Sequence, residues 1–157
     1  MNLNYGPEYE DFTKEVQKFC KEYSGVVITN KKGGALTSLS SITNSDKPDG
    51  VKVSRSEWQK ILIKNGYFAR SIPKEYGGFG GELDIIKSRI IATEFASNRI
   101  PPPMGGQGID MLVPTLLELG TEEQKQKYIK PTLYGEMIWC QGYSEPNAGS
   151  DLASLQT

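Results

Sequence analysis

Two short stretches, Ser54-Arg55-Ser56-Glu57 and Thr121-Glu122-Glu123-Gln124, place a hydroxyl three residues ahead of a carboxylate or amide. That spacing starts helices: the hydroxyl accepts from the third amide while the longer side chain reaches back to the first. Two otherwise orphaned donors are satisfied at once. Each box leads into apolar residues at helical spacing, so the chain is expected to be mainly α.

Trp58, Ile61 and Leu62 form one face after the first box, and Gly66 supplies a stop. The second box leads through Tyr128 and Ile129 to Pro131. Upstream, Pro7 with Glu8, Glu10 and Asp11 suits a first turn, and Phe12, Val16, Phe19 and Cys20 recur on one helical face. A further helix is expected over residues 82–98, burying Leu83, Ile86, Ile90, Ile91 and Phe95. Pro101-Pro102-Pro103 then breaks it. Another helix carries Ile109, Leu112, Val113, Leu116 and Leu117, with Gly120 at its end. Residues 24–53 are polar apart from Val26-Val27-Ile28 and an apolar cluster over 36–42, and read as a surface excursion with room for a short hairpin. The expected organisation is a helical domain over 1–134, followed by the start of a β domain over 135–157.

Whole-chain properties exclude several classes. The 18 basic and 19 acidic side chains nearly balance and form no dense basic block, which argues against nucleic acid. No apolar run approaches the roughly 20 residues of a membrane span. The N-terminal stretch is acidic and lacks an apolar core, unlike a secretory signal or presequence, so the cytoplasm is expected. With no His and only Cys20 and Cys140, neither a disulfide framework nor a zinc site is expected, and Ser-His or Cys-His pairs are absent.

The segment that carries chemistry is Trp139-Cys140-Gln141-Gly142-Tyr143-Ser144-Glu145-Pro146-Asn147-Ala148-Gly149-Ser150-Asp151. Met137-Ile138-Trp139 reads as a strand, with Cys140 packed inside, feeding a turn of hydroxyls and small residues. Residues 136–157 contain neither Lys nor Arg. An anion held here must be neutralised by oriented amides and hydroxyls. Gly149 lets backbone approach closely, and the hydroxyls of Ser144 and Ser150 can donate. Such residues also make ordinary turns. Glu145 and Asp151 resemble a carboxylate pair, but their place in the turn favours fixing or capping it. Trp139 suits either a core site or a stack on a ligand. The glycines of 77–81 lack the strand-before, helix-after setting of a dinucleotide fingerprint.

The stretch Tyr143-Ser144-Glu145-Pro146-Asn147-Ala148-Gly149-Ser150-Asp151 closely resembles the flavin signature of acyl-CoA dehydrogenases. Ser144 stands where Thr is commoner, and Gln141 where an aromatic residue is frequent. Three further segments follow in that family's order: Trp58 to Phe68 with Ile72-Pro73-Lys74-Glu75-Tyr76-Gly77-Gly78, then Leu119-Gly120-Thr121-Glu122-Glu123-Gln124-Lys125, then Gly135-Glu136. The resemblance covers residues 54–157 and has no counterpart for the polar excursion.

The resemblance implies a helical N-terminal domain leading into a β domain, with FAD as cofactor. By position, Gln141, Tyr143 and Ser144 would face the isoalloxazine, and Gly149 and Ser150 the pyrophosphate. Ser150 would also touch the acyl-CoA substrate. The implied reaction removes the proton α to the thioester and transfers a hydride from the β carbon to the flavin, giving a 2,3-enoyl-CoA. Electrons would pass to an electron-transferring flavoprotein, and relatives are commonly tetramers. The family's catalytic Glu would lie beyond Thr157, so no catalytic residue is assigned and the chain alone is expected to be inactive. The alternative is a non-enzymatic helical association module or a decayed, truncated copy, colourless where the enzyme is yellow.

Overall fold

The computed structural model describes residues 6–29 and 51–156. A 3-10 turn at Pro7–Tyr9 leads into α1, Glu10–Glu22, whose first turn carries Glu10 and Asp11 at the positive end of the helix. Val16, Phe19 and Cys20 are its buried face, as the spacing predicts. β1, Val27–Thr29, pairs in parallel with β2, Lys52–Ser54. Parallel strands cannot be the arms of one hairpin. Residues 30–50, which include the apolar cluster 36–42, lie outside the described residues.

α2, Arg55–Lys64, starts with the expected box: the Glu57 amide donates to Ser54 Oγ at 3.2 Å, and the Ser54 amide to Glu57 Oε2 at 2.8 Å. It ends at Gly66, whose left-handed φ of 72° lets the Tyr67 amide reach the Leu62 carbonyl at 2.8 Å. This helix is the keystone. Trp58 and Leu62 face a core built with Val16, Phe19, Cys20, Tyr67, Ile90, Ile91 and Phe95. Ile63 faces a second core of Tyr76, Val113, Ile129 and Leu133. Phe19 anchors the first, its ring 4.8 Å from that of Tyr67 and 5.8 Å from that of Phe95. Burial pushes the Cys20 thiol up to about 11, with Glu94 adding to it.

α3 spans Ile85–Ser97, shorter than the expected 82–98. Asp84 caps it, accepting from the Lys87 amide at 2.9 Å. Leu83, expected inside, therefore precedes the cap and is 75% exposed. The prolines do not end this helix. Arg99 adopts a left-handed φ of 55°, and the Ile100 amide closes on the Phe95 carbonyl at 2.9 Å. A non-glycine residue there costs about 1–2 kcal/mol, offset by burying Ile100.

The next helix opens as a π-helical turn, Gly108–Leu112, before α4, Val113–Leu119. α5, Glu122–Leu133, begins with the second box, the Thr121 amide donating to Gln124 Oε1 at 2.9 Å. It runs past Pro131 rather than stopping there, because Thr132 and Leu133 are buried and hold the last turn in place. Between α2 and α3, a 3-10 turn at Lys74–Tyr76 is pinned to α5, the Tyr76 hydroxyl donating to Glu122 Oε2 at 2.8 Å. That bond, together with burial, raises Tyr76 to about 12. Glu122 is lowered in turn, by the Gln126 amide and the Tyr76 hydroxyl. The fold is mainly helical, as the sequence indicates.

Candidate functional site

Gly135, at a φ of 68°, ends α5 with the Glu136 amide on the Pro131 carbonyl at 2.9 Å. The strand expected after it pairs with no other described segment, and a strand without a neighbour has no ladder to form. Side chains moor the segment instead. Glu136 Oε1 accepts from Lys60 Nζ at 3.0 Å, a half-exposed pair that contributes little. Trp139 is half-buried. Its indole N–H donates to Thr132 Oγ1 at 2.8 Å, and its ring meets the Tyr128 ring edge-on at 5.6 Å. The Thr132 hydroxyl donates to the Tyr128 carbonyl at 2.6 Å, so both functions of that oxygen are used. Gln141 Oε1 accepts from Gln107 Nε2 at 3.2 Å. Cys140, expected to pack inside, is exposed. Without a paired strand no second layer covers it, and only the indole turns inward.

The turn itself closes on Glu145 and Ala148, which exchange both backbone bonds at 2.9 and 3.1 Å with Pro146 and Asn147 at the tip. Ala148 is buried beneath it. Glu145 Oε2 accepts from the Gln156 amide at 3.0 Å. The Asp151 carbonyl accepts from the Ser154 hydroxyl at 2.9 Å, opening a 3-10 turn at Leu152–Ser154. Glu145 thus fixes the turn. Glu94 accepts from Gln17 Nε2 of α1 at 3.1 Å and, locally, from Asn98 Nδ2 at 3.4 Å.

The expected site residues all face outward. Gln141, Ser144, Gly149 and Ser150 are exposed, and Tyr143 is 59% exposed. A Cβ placed on Gly142 or Gly149 would meet nothing within 4 Å, so backbone is open to approach at both points. The structure adds residues that the sequence reading passed over: Gln107, Gly108 and Thr132, which hold Trp139 and Gln141. The cluster Gly105-Gly106-Gln107-Gly108 was their one signal, since glycines gather where something comes close. Among the described residues, no helix is long and apolar enough to cross a membrane.

Residues 42–136 match the acyl-CoA dehydrogenase N-terminal domain. The acyl-CoA dehydrogenase IpdE1 of Mycolicibacterium smegmatis is 34% identical over 143 residues, covering 91% of this chain and 36% of that protein. The crystal structure of the ChsE4-ChsE5 complex from Mycobacterium tuberculosis superposes with a TM-score of 0.56 at 29% identity, covering 100% of this chain and 35% of that one. The Tcur3481-Tcur3483 steroid ACAD superposes with a TM-score of 0.54 at 27% identity, covering 99% and 36%. The chain thus spans about a third of the length of the relatives it matches. The domain match over residues 42–136 and the 34% identity over 91% of the chain place it in the acyl-CoA dehydrogenase family.

Proposed function

We propose that this chain supplies the N-terminal helical domain and the flavin-facing turn of an FAD-dependent acyl-CoA dehydrogenase, which oxidises an acyl-CoA to its 2,3-enoyl form. The observation that carries this is the segment 141–151: exposed hydroxyls and the two open glycines Gly142 and Gly149 follow the matched domain, with no Lys or Arg in residues 136–157. These residues fit an acceptor-rich nucleotide. Gly149 leaves its backbone bare for a pyrophosphate, and the Ser150 hydroxyl stands beside it. Gln141, Tyr143 and Ser144 would lie along the isoalloxazine, with the Ser144 hydroxyl donating to the ring. FAD, when bound, takes up the hydride leaving the β carbon.

Removal of the α proton needs a positioned base, and no acid of this chain is given that role. Glu145 holds the Gln156 amide and Glu94 holds Gln17. The 157 residues alone are therefore proposed to be inactive. The working enzyme would pass electrons to an electron-transferring flavoprotein in the cytoplasm. The steroid ACAD among the similar structures supports a ring-bearing acyl-CoA as substrate class. The ChsE4-ChsE5 complex supports an oligomer of unlike subunits over a homotetramer.

The gene product at its full natural length is expected to purify yellow. Ser144→Ala should weaken FAD binding by about 2–10-fold, the worth of one neutral hydrogen bond. An unchanged flavin spectrum and affinity in that variant would rule out the Ser144 role. A colourless protein that FAD leaves colourless would favour the association module instead.

A further inference from the structure

We propose that Gly108 and Trp139 form a socket and pin that sets where residues 141–144 stand against the helical domain, making both positioning residues for the flavin-facing turn. This rests on the flavin reading above. Gly108 is buried, and its φ is not among the positive ones, so what it provides is space rather than conformational freedom. A Cβ there would lie 2.6 Å from Trp139 Cδ1 and 2.9 Å from Thr132 Cγ2. Carbon atoms settle at about 3.5–4.0 Å, so a side chain at 108 must displace the indole, Thr132 or both.

The same pyrrole edge of the indole is also held by a hydrogen bond. Its N–H is bonded to Thr132 Oγ1, and the Tyr128 ring closes the seat. Thr132 is buried, and its own proton is committed to the Tyr128 carbonyl, so the hydroxyl has one orientation in which to accept. Two residues beyond the pin, Gln141 takes a hydrogen bond from Gln107, the neighbour of Gly108. Consecutive residues at the mouth of the π-helical turn thereby hold positions 139 and 141. Since no ladder fixes this segment among the described residues, its register depends on these side-chain ties.

The test compares Gly108→Ala, Trp139→Leu, their double variant and Gly105→Ala in the full-length purified protein. Gly105 is the control, because its added Cβ would meet only Asp110 Oδ2 at an ordinary 3.6 Å. Gly108→Ala is expected to shift tryptophan emission to the red, against a constant background from buried Trp58. It should also weaken FAD binding by ~10-fold, Trp139→Leu by as much, and the double variant by no more than either alone, as coupled sites do. Gly105→Ala should match wild type. Wild-type emission in Gly108→Ala, or losses that simply add in the double variant, would overturn the pair.

Should Gly108→Ala fail to fold, Trp139→Phe decides. It keeps an aromatic ring but drops the bond to Thr132. An altered visible circular dichroism of bound flavin supports the pin, and an unaltered spectrum with unaltered affinity overturns it. Should wild type take up no FAD, the flavin reading falls, and the emission arm still judges the socket.

Discussion

Gln59 is fully buried yet polar, and its amide spans the two halves of the helical core. Its Nε2 donates to the Leu133 carbonyl at 3.2 Å, and its Oε1 accepts from the Met104 amide at 2.9 Å. Met104 is the first residue after three prolines to own an N–H, so nothing adjacent in Pro101-Pro102-Pro103 can substitute for it. Trp58, the residue before it, holds the same stretch by donating to the Pro101 carbonyl at 3.0 Å. Gln59→Leu keeps the volume and strands one N–H and one C=O. Each orphan costs about 1–3 kcal/mol. The better transfer of a buried Leu recovers about 1.5 kcal/mol, leaving a net loss of about 2.5 kcal/mol. For a chain of this size that lowers Tm by roughly 5–10 °C.

Urea unfolding followed by far-ultraviolet circular dichroism measures this directly, with the slope against denaturant unchanged. A Gln59→Leu variant within ~0.5 kcal/mol of wild type would refute the reasoning, since that is the range of bland surface changes. Gln59→Glu sharpens it. The carboxylate can accept from Met104 but cannot donate to Leu133, whereas the protonated acid does both. Burial raises its folded pKa above the unfolded value of about 4.3. Stability gained from the protonated form is then present below the unfolded pKa and lost as pH rises through the folded one. The gap to wild type should narrow on acidification from about pH 7 to about pH 4. A gap that widens would show the bond to Leu133 is not what matters.

The two boxes give a simpler expectation. Ser54→Ala and Thr121→Ala should each cost about 1 kcal/mol and add, because they cap separate helices; losses near zero by denaturant titration would refute the capping. Tyr76→Phe removes one of the two hydrogen bonds holding Glu122 low, so the carboxyl should titrate nearer its ordinary range by carbon-13 NMR. A depressed carboxyl contributes stability above its unfolded pKa that is lost as pH falls through the folded one, so the variant should lose less on acidification. An identical Glu122 titration in both proteins would refute this.

What was legible in the sequence follows the range of the interactions involved. Helix starts are local: Ser54 with Glu57 and Thr121 with Gln124 lie within one turn, and both boxes form as written. The stop at Gly66 is equally local. Leu83 falls outside α3 because periodicity alone does not show that the helix begins after the Asp84 cap rather than at residue 82. Pro131 reads as an end, whereas burial of Thr132 and Leu133 from across the fold holds the helix on. The stretch 143–151 stands out in the sequence because its residues are consecutive. Its mooring was not, since Gln107 and Gln141 lie 34 residues apart in the chain. Cys140 shows the same limit: alternation assigns it an inside only if a second strand supplies one.

That mooring is energetically thin, and this bears on function. Ordering one residue of backbone costs about 1–2 kcal/mol, while each neutral hydrogen bond contributes about 0.5–1.5 kcal/mol net. Between Met137 and Gln156, Trp139 and Gln141 carry side-chain bonds that cross to the helices, and the turn closes on itself at Glu145 and Ala148. A ligand that binds only the ordered turn adds stability as RT ln(1 + [L]/Kd). By linkage, whatever fixes the turn tightens the ligand by the same factor. On the proposed flavin role, loss of the indole seat and loss of the flavin would be one equilibrium approached from two ends, and raising FAD concentration should restore part of the order that Trp139→Leu removes.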